Sequence, residues 1–286
     1  MTGIFFAGIL WGTIGIFVNE LNALGADASL IGFMRMFFAF MFSLITALFI
    51  HGRKIIIRDK RTIFLCALLG IISNGLFNIF YTNSIRLNGM GVACVLMYTA
   101  PVFTAIASGL IFHEKFSRIK IFALIMNIIG CILTVTGINI FQSDNISVIG
   151  ILYGLGSGFG YGMAAVIGRS AGEKTDALII SMYSFFFASI FMIIFTRPDI
   201  IPAFNDLRIM ITGLLYGLIP TSLAYLVYYN GLKVINDTSR VPVIASVEPV
   251  TAVIMGILLY NERIDAANFA GVAIVLVSII IMMKAE

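Results

Sequence analysis

Residues 243–262 read VIASVEPVTAVIMGILLYNE. The run is apolar and about as long as a helix needs to cross a bilayer. Yet Glu248 and Pro249 interrupt it. Pro249 lacks an N–H, so the carbonyl of Ala245 loses its helical partner and is left for a ligand or a polar neighbour. Glu248 is an ionisable group at membrane depth, which costs roughly 2.5–3.5 kcal/mol on insertion scales. Such a residue belongs on an internal face.

An earlier stretch, 95–114, echoes it: VLMYTAPVFTAIASGLIFHE. Both stretches carry Pro-Val and a Glu thirteen residues after the Pro. Pro101 therefore answers Pro249, and Glu114 answers Glu262; Ala100 stands where the second copy has Glu248. The chain thus contains an internal repeat with one asymmetric charge inside it.

Working outward, the 286 residues are 60% hydrophobic and only 11% charged, with a mean hydropathy of +1.05. Soluble domains carry about 25% charged residues, so this composition specifies an integral membrane protein. The net charge of +4 sits in short turns without a basic stripe, which argues against a nucleic-acid partner. Cys66, Cys94 and Cys131 all lie inside apolar runs and form neither a disulfide framework nor a metal spacing. His51 and His113 lie at run ends, as interfacial residues rather than ligands. No metal or cofactor is expected. The first run lacks a basic leader and a cleavage site, so it is expected to be a retained helix.

Ten apolar runs are expected as helices, at about 4–21, 30–50, 62–82, 89–111, 121–138, 147–168, 178–196, 209–230, 241–260 and 268–283. Lys and Arg of short loops set orientation. Arg53, Lys54, Arg58, Lys60, Arg61, Lys115, Arg118, Lys120, Arg169, Lys174, Lys233, Arg240 and Lys284 fall on one side; Arg86, Arg197, Arg208 and Arg263 fall on the other. Both termini are therefore expected in the cytoplasm. Five helices in residues 1–140 precede five in 147–286. An odd number per half inverts the second half, the arrangement found in secondary transporters.

Other positions match across the halves. Ile9-Leu10-Trp11-Gly12 is answered by Ile151-Leu152-Tyr153-Gly154. Asn74, Asn78 and Tyr81 in the third run share one helical face, and Thr221, Tyr225 and Tyr228 in the eighth have the same spacing. These stripes read either as interhelical hydrogen bonds or as cavity lining. In the sixth run, Gly154, Gly158 and Gly162 form a close-packing seam, beside a face of Tyr153, Ser157 and Tyr161. Trp11, the only tryptophan, reads equally as an interfacial anchor or as a cavity residue. Tyr98 lies one turn before Pro101, and Pro220 breaks the eighth run as Pro101 breaks the fourth. Arg35, near the start of the second run, is expected either to snorkel to the headgroups or to form a structural ion pair, with a coupling or gating role beside them and direct substrate contact as the lesser reading. Glu114 and Glu262 close their helices at opposite faces and are expected to make structural or gating contacts. Glu248 reads either as a coupling or cation-binding acid or as a structural pair.

The ten-helix pattern, Trp-Gly in the first run, Arg35 in the second, and the paired Pro101–Glu114 and Pro249–Glu262 spacings resemble the EamA family of the drug/metabolite transporter superfamily. The resemblance covers nearly the whole chain. It implies a bacterial inner-membrane carrier that works by alternating access around a central cavity, often exporting amino acids or other metabolites. By position, it assigns Trp11, Asn78, Tyr98, Tyr153, Tyr161, Tyr225 and Glu248 to that cavity, and the neighbouring Tyr81 joins them from its stripe. The expected partners are a small solute and the lipid bilayer, with protons or another coupling ion, and a homodimer, as further possibilities. Import of an organic cation such as a quaternary amine is the alternative, since aromatic rings attract cations. An intramembrane enzyme is disfavoured, because no paired buried carboxylates or Ser/His couple occur at membrane depth.

Overall fold

The computed structural model describes residues 1–115, 117–137, 147–173, 175–195, 206–260 and 265–284. Glu262, Lys174, Arg197 and Arg263 lie outside the described residues. Among the described residues the regular structure is helical. Helix α1 (Thr2–Gly12) and α2 (Ile14–Ala23) divide the first run. Thr13 between them donates its hydroxyl to the Leu10 carbonyl at 2.7 Å. Helix α3 spans Ala28–His51. Then α4 (Lys60–Leu68), a π-helical segment Leu69–Leu76 and α5 (Phe77–Met97) follow without a loop. Helix α6 is Ala100–Phe112 and α7 is Arg118–Thr136. Beyond the middle of the chain come α8 (Val148–Gly172), α9 (Ala177–Ile193) and α10 (Leu207–Gly217). A second π-helical segment, Leu218–Leu223, leads into α11 (Ala224–Lys233). The last helices are α12 (Val241–Ala245), α13 (Val247–Tyr260) and α14 (Ala266–Lys284).

Among the described residues, eight stretches are long and apolar enough to cross a membrane, and Ala100–Phe112 and Ala177–Ile193 are shorter apolar helices. The expected run 89–111 therefore does not appear as one helix. Its first part continues α5 across Gly89, which adopts φ 79°, a left-handed value that glycine tolerates. The rest is α6, with Pro101 in its first turn, where a missing N–H breaks no helical bond.

Among the described residues, six helix starts have a side-chain cap of the same kind. Asp27, Asp59, Ser117, Ser147, Asp176 and Asp206 each accept a backbone N–H from the first turn of the following helix. These residues satisfy donors that would otherwise lack partners.

Both π-helical segments are stabilised in the same way. Asn74 donates its amide to the Leu69 carbonyl at 3.2 Å, and Thr221 donates its hydroxyl to the Tyr216 carbonyl at 2.9 Å. In the second case Pro220 has removed the N–H that Tyr216 would have met in an α-helix. The glycine seam of α8 packs on α5 and α6. A Cβ at Gly158 would stand 2.8 Å from the Leu96 carbonyl oxygen, and one at Gly162 would stand 2.7 Å from that of Ala100. Large apolar side chains such as Phe49, Leu110 and Leu258 face outward, as lipid-facing residues do.

Candidate functional site

The interior is organised around Trp11, at the end of α1. Its side chain is 3% exposed. Its ring lies 5.2 Å from that of Tyr225, 5.1 Å from Tyr228 and 6.0 Å from Tyr161. Tyr225 and Tyr228 are one turn apart on α11, and Tyr161 comes from α8. Trp11 is therefore interior and not an interfacial anchor. Its indole N–H is buried and has no hydrogen-bond partner among the described residues. A buried polar group without a partner is uncommon and calls for an explanation.

Glu248 lies in the first turn of α13, half-buried, and accepts the Tyr161 hydroxyl at 2.8 Å. A carboxylate at a helix N-terminus is favoured by the exposed N–H groups and the helix dipole. The chain turns at Ser246, whose hydroxyl reaches the Val243 carbonyl at 2.5 Å. The Asn127 amide holds this turn, donating to Ser246 Oγ at 2.5 Å and to Ser278 Oγ at 3.0 Å. Close approach of α1 brings Trp11 and Glu248 together. A Cβ at Gly12 would stand 2.8 Å from the Glu248 carbonyl oxygen, and one at Gly8 would stand 2.6 Å from that of Ala245. Thus the Ala245 carbonyl, released by Pro249, faces the backbone of α1.

Tyr81 joins from α5. Its hydroxyl lies 2.9 Å from Cys94 Sγ, and its ring stacks on Phe77 at 5.9 Å. Phe77 in turn meets Tyr161 at 5.9 Å. Tyr98, 6% exposed at the end of α5, belongs to a buried cluster with Val243, Val247 and Val250. Tyr153 is placed differently: its ring packs on Phe80 at 5.7 Å, outside the Trp11 group. The Asn78 amide rests on α3, where a Cβ at Gly32 would stand 3.0 Å from its Oδ1.

Arg35 lies one turn beyond Gly32 on α3 and is 6% exposed. Its Nε donates to Thr221 Oγ1 at 3.2 Å, and its guanidinium sits 5.4 Å from the centre of the Tyr216 ring. No ion pair to it occurs among the described residues. Both expectations for this residue are therefore corrected: it neither snorkels nor forms a close ion pair. The reason is the bend at Thr221, which brings a hydroxyl to a guanidinium turned inward.

Glu114 lies at one end of the bundle. Its carboxylate accepts Arg169 Nη1 at 2.5 Å and the N–H groups of Thr238 and Ser239 at 2.7 and 3.1 Å. Beside it, Asp237 pairs with Lys120 and with Arg240 Nε at 2.9 Å. Asp176 lies 3.5 Å from Lys233 and 3.6 Å from His51. Together these contacts tie α3, α6, α7, α8, α9 and α11 at the ends rich in Lys and Arg. Pro101 and Pro249 occupy first turns of helices, and Pro220 lies inside a π-helical segment.

Sequence reasoning passed over Asn127, Ser246, Asp237 and the capping residues. Asn127 was detectable as the one amide in an otherwise apolar run, and the caps as Asp or Ser before six of the runs. Separately, a crevice of about 220 Å³ is lined by Val102, Ile106, Leu124 and Met282, with Lys120 and Ser239 among its wall residues. Glu248 and Trp11 are not among those walls.

The EamA-like transporter family model matches residues 1–136 and again 148–284. The chain belongs to the EamA-like transporter family. It is 25% identical over 279 residues to an uncharacterized transporter of Archaeoglobus fulgidus, covering 97% of this chain and 94% of that protein. It is 22% identical to the uncharacterized transporter YoaV of Bacillus subtilis, covering 96% and 93%. It is 20% identical to the uncharacterized inner membrane transporter YicL of Salmonella typhimurium, covering 99% and 94%. A solved crystal structure shares its fold at a TM-score of 0.83 with 14% identity, covering all of this chain and 98% of that one. As an EamA-like protein the chain is a multi-pass membrane transporter, its bilayer partner is lipid and its cargo is a small solute.

Proposed function

We propose that this transporter exports a small amphipathic metabolite, an amino acid or a related solute, across the bacterial inner membrane by alternating access. In this reading residues 1–140 and 147–286 are inverted halves that rock about a site at the bilayer midplane. Trp11, Asn78, Tyr81, Tyr98, Tyr161 and Tyr225 line that site, and Tyr153 borders it. Glu248 binds the polar end of the solute or a coupling proton. Glu114, with Arg169, acts as a gate on the cytoplasmic side, and Glu262 is its counterpart at the other face. The observation that carries this reading is the Tyr161 hydroxyl on Glu248 at 2.8 Å, beside the aromatic rings around Trp11. An acid kept at membrane depth among aromatic side chains matches a partly apolar cargo with few polar atoms.

The test is radiolabelled flux in proteoliposomes, with the solute and proton gradients imposed in each direction. Export of an amino acid that collapses in Glu248→Gln is the expected result. Normal, fully coupled flux in that variant removes Glu248 from the mechanism. Import of a quaternary amine is the second reading, favoured by the three tyrosine rings around Trp11. The inward cation Arg35 weighs against it. Amine uptake without amino-acid flux would select this second reading.

A further inference from the structure

Buried charges in the described structure are paired with one conspicuous exception. Glu114 and Asp237 each meet a cation. Arg35, at 6% exposure, meets a hydroxyl and a ring. The elements packed on α3 include α9, α10 and the segment 218–223, and none of them contains an Asp or a Glu. Glu20 on α2 is exposed. Glu248, the half-buried acid of the interior, is already held by the Tyr161 hydroxyl. A guanidinium has five donors; Thr221 accepts the Nε one and Tyr216 shares a further side-chain hydrogen bond, which leaves donors for a ligand. The unpartnered indole N–H of Trp11, which touches Tyr225, is a second donor without an acceptor in the same interior.

We propose that Arg35 is the oxyanion-recognising residue of the transport site and that the cargo presents a carboxylate to its guanidinium. This rests on the transport reading above and narrows it to a substrate class. Thr221 fixes the guanidinium through Nε, and the Tyr216 ring supports its face. The terminal nitrogens then form the fork that a carboxylate fits in a bidentate manner. Glu248 takes the cationic end of the same solute, and the rings of Trp11 and Tyr225 take its apolar part. The two charges are therefore arranged for a zwitterion rather than for a free amine.

The experiment uses the wild-type protein in proteoliposomes and measures inhibition of flux by three sets of probes. These are the protein amino acids, the amines left when their carboxylate is removed, and phenyl phosphate with glycerol phosphate. The expected result is that amino acids are transported and that each matched amine competes at least about tenfold more weakly. Arg35→Gln should weaken amino-acid competition by about tenfold or more and leave amine competition unchanged, with Arg35→Lys between the two. Should Arg35→Gln fail to fold, the wild-type comparison alone decides. Amines carried as well as amino acids would overturn the Arg35 assignment and leave the carrier reading intact. Preference for the phosphates would overturn the carboxylate assignment. No flux of any probe would overturn the carrier reading and this proposal with it.

Discussion

Trp11 combines two properties that substitutions can separate. Its ring fills space among three tyrosines, and its N–H is buried without a partner. Trp11→Phe keeps most of the ring contact and removes the orphan donor, so thermal unfolding in detergent should stay unchanged or rise slightly. Trp11→Ala leaves a void and should lower stability by about 3 kcal/mol or more. A marked loss of stability in Trp11→Phe would mean that the indole N–H has an acceptor after all. Tyr161→Phe removes only the hydroxyl that Glu248 accepts. It should reduce transport by at least about tenfold while leaving the ring packing on Phe77 in place. Equal loss in Tyr153→Phe would contradict the placement of that ring on Phe80, outside the group.

At the scale of the element, broken helices place these side chains. Thr221 accepts from Arg35 and donates to Tyr216 across a bend that Pro220 creates. Thr221→Val should therefore cost about 1–3 kcal/mol, because it strips a buried carbonyl and a buried guanidinium of their partner together. Thermal unfolding of purified Thr221→Val, compared with Thr221→Ser, checks this; the serine variant should retain most of the stability. Pro101, Pro220 and Pro249 announced the breaks beside them in the sequence, whereas the π-helical segment Leu69–Leu76 contains no proline and was not legible. The location of the break at 98–100 was legible, but the extension of α5 across Gly89 was not. Asn88-Gly89 reads as a turn between two runs, and the sequence does not show that the helix resumes beyond it. Arg35 was misread for a related reason. Sequence position placed it near a helix end, but which way a long side chain turns depends on the helix opposite, here the segment 218–223.

For the whole molecule, the described ion pairs gather at the ends rich in Lys and Arg. That the cationic residues gather at one set of helix ends was legible from the distribution of charge. The partners were not, because Glu114, Arg169 and Thr238 are far apart in sequence and meet only when three helix ends converge. Burial alone would raise the Asp237 carboxyl, but hydrogen bonds from Lys120, Ser239 and Arg240 outweigh it and hold it at about 2. Its ordinary value is about 3.9. A lowered native value means that the stabilising contribution is complete above that ordinary value and is lost as pH falls towards 2. The difference in unfolding temperature between wild type and Asp237→Asn should thus be constant above about pH 5 and shrink below about pH 4. A difference that grows on acidification would contradict the pairing.

Cys66, Cys94 and Cys131 are all buried, and they are the only thiols in the chain. A membrane-impermeant maleimide should therefore find little to label on the native protein, so an introduced thiol reports its own location without prior removal of the others. Intact cells expressing Glu20→Cys should take up the reagent, and cells expressing Arg58→Cys should react only after lysis, if the basic loop faces the cytoplasm. The reverse pattern would turn the molecule over in the membrane and swap the inner and outer gates.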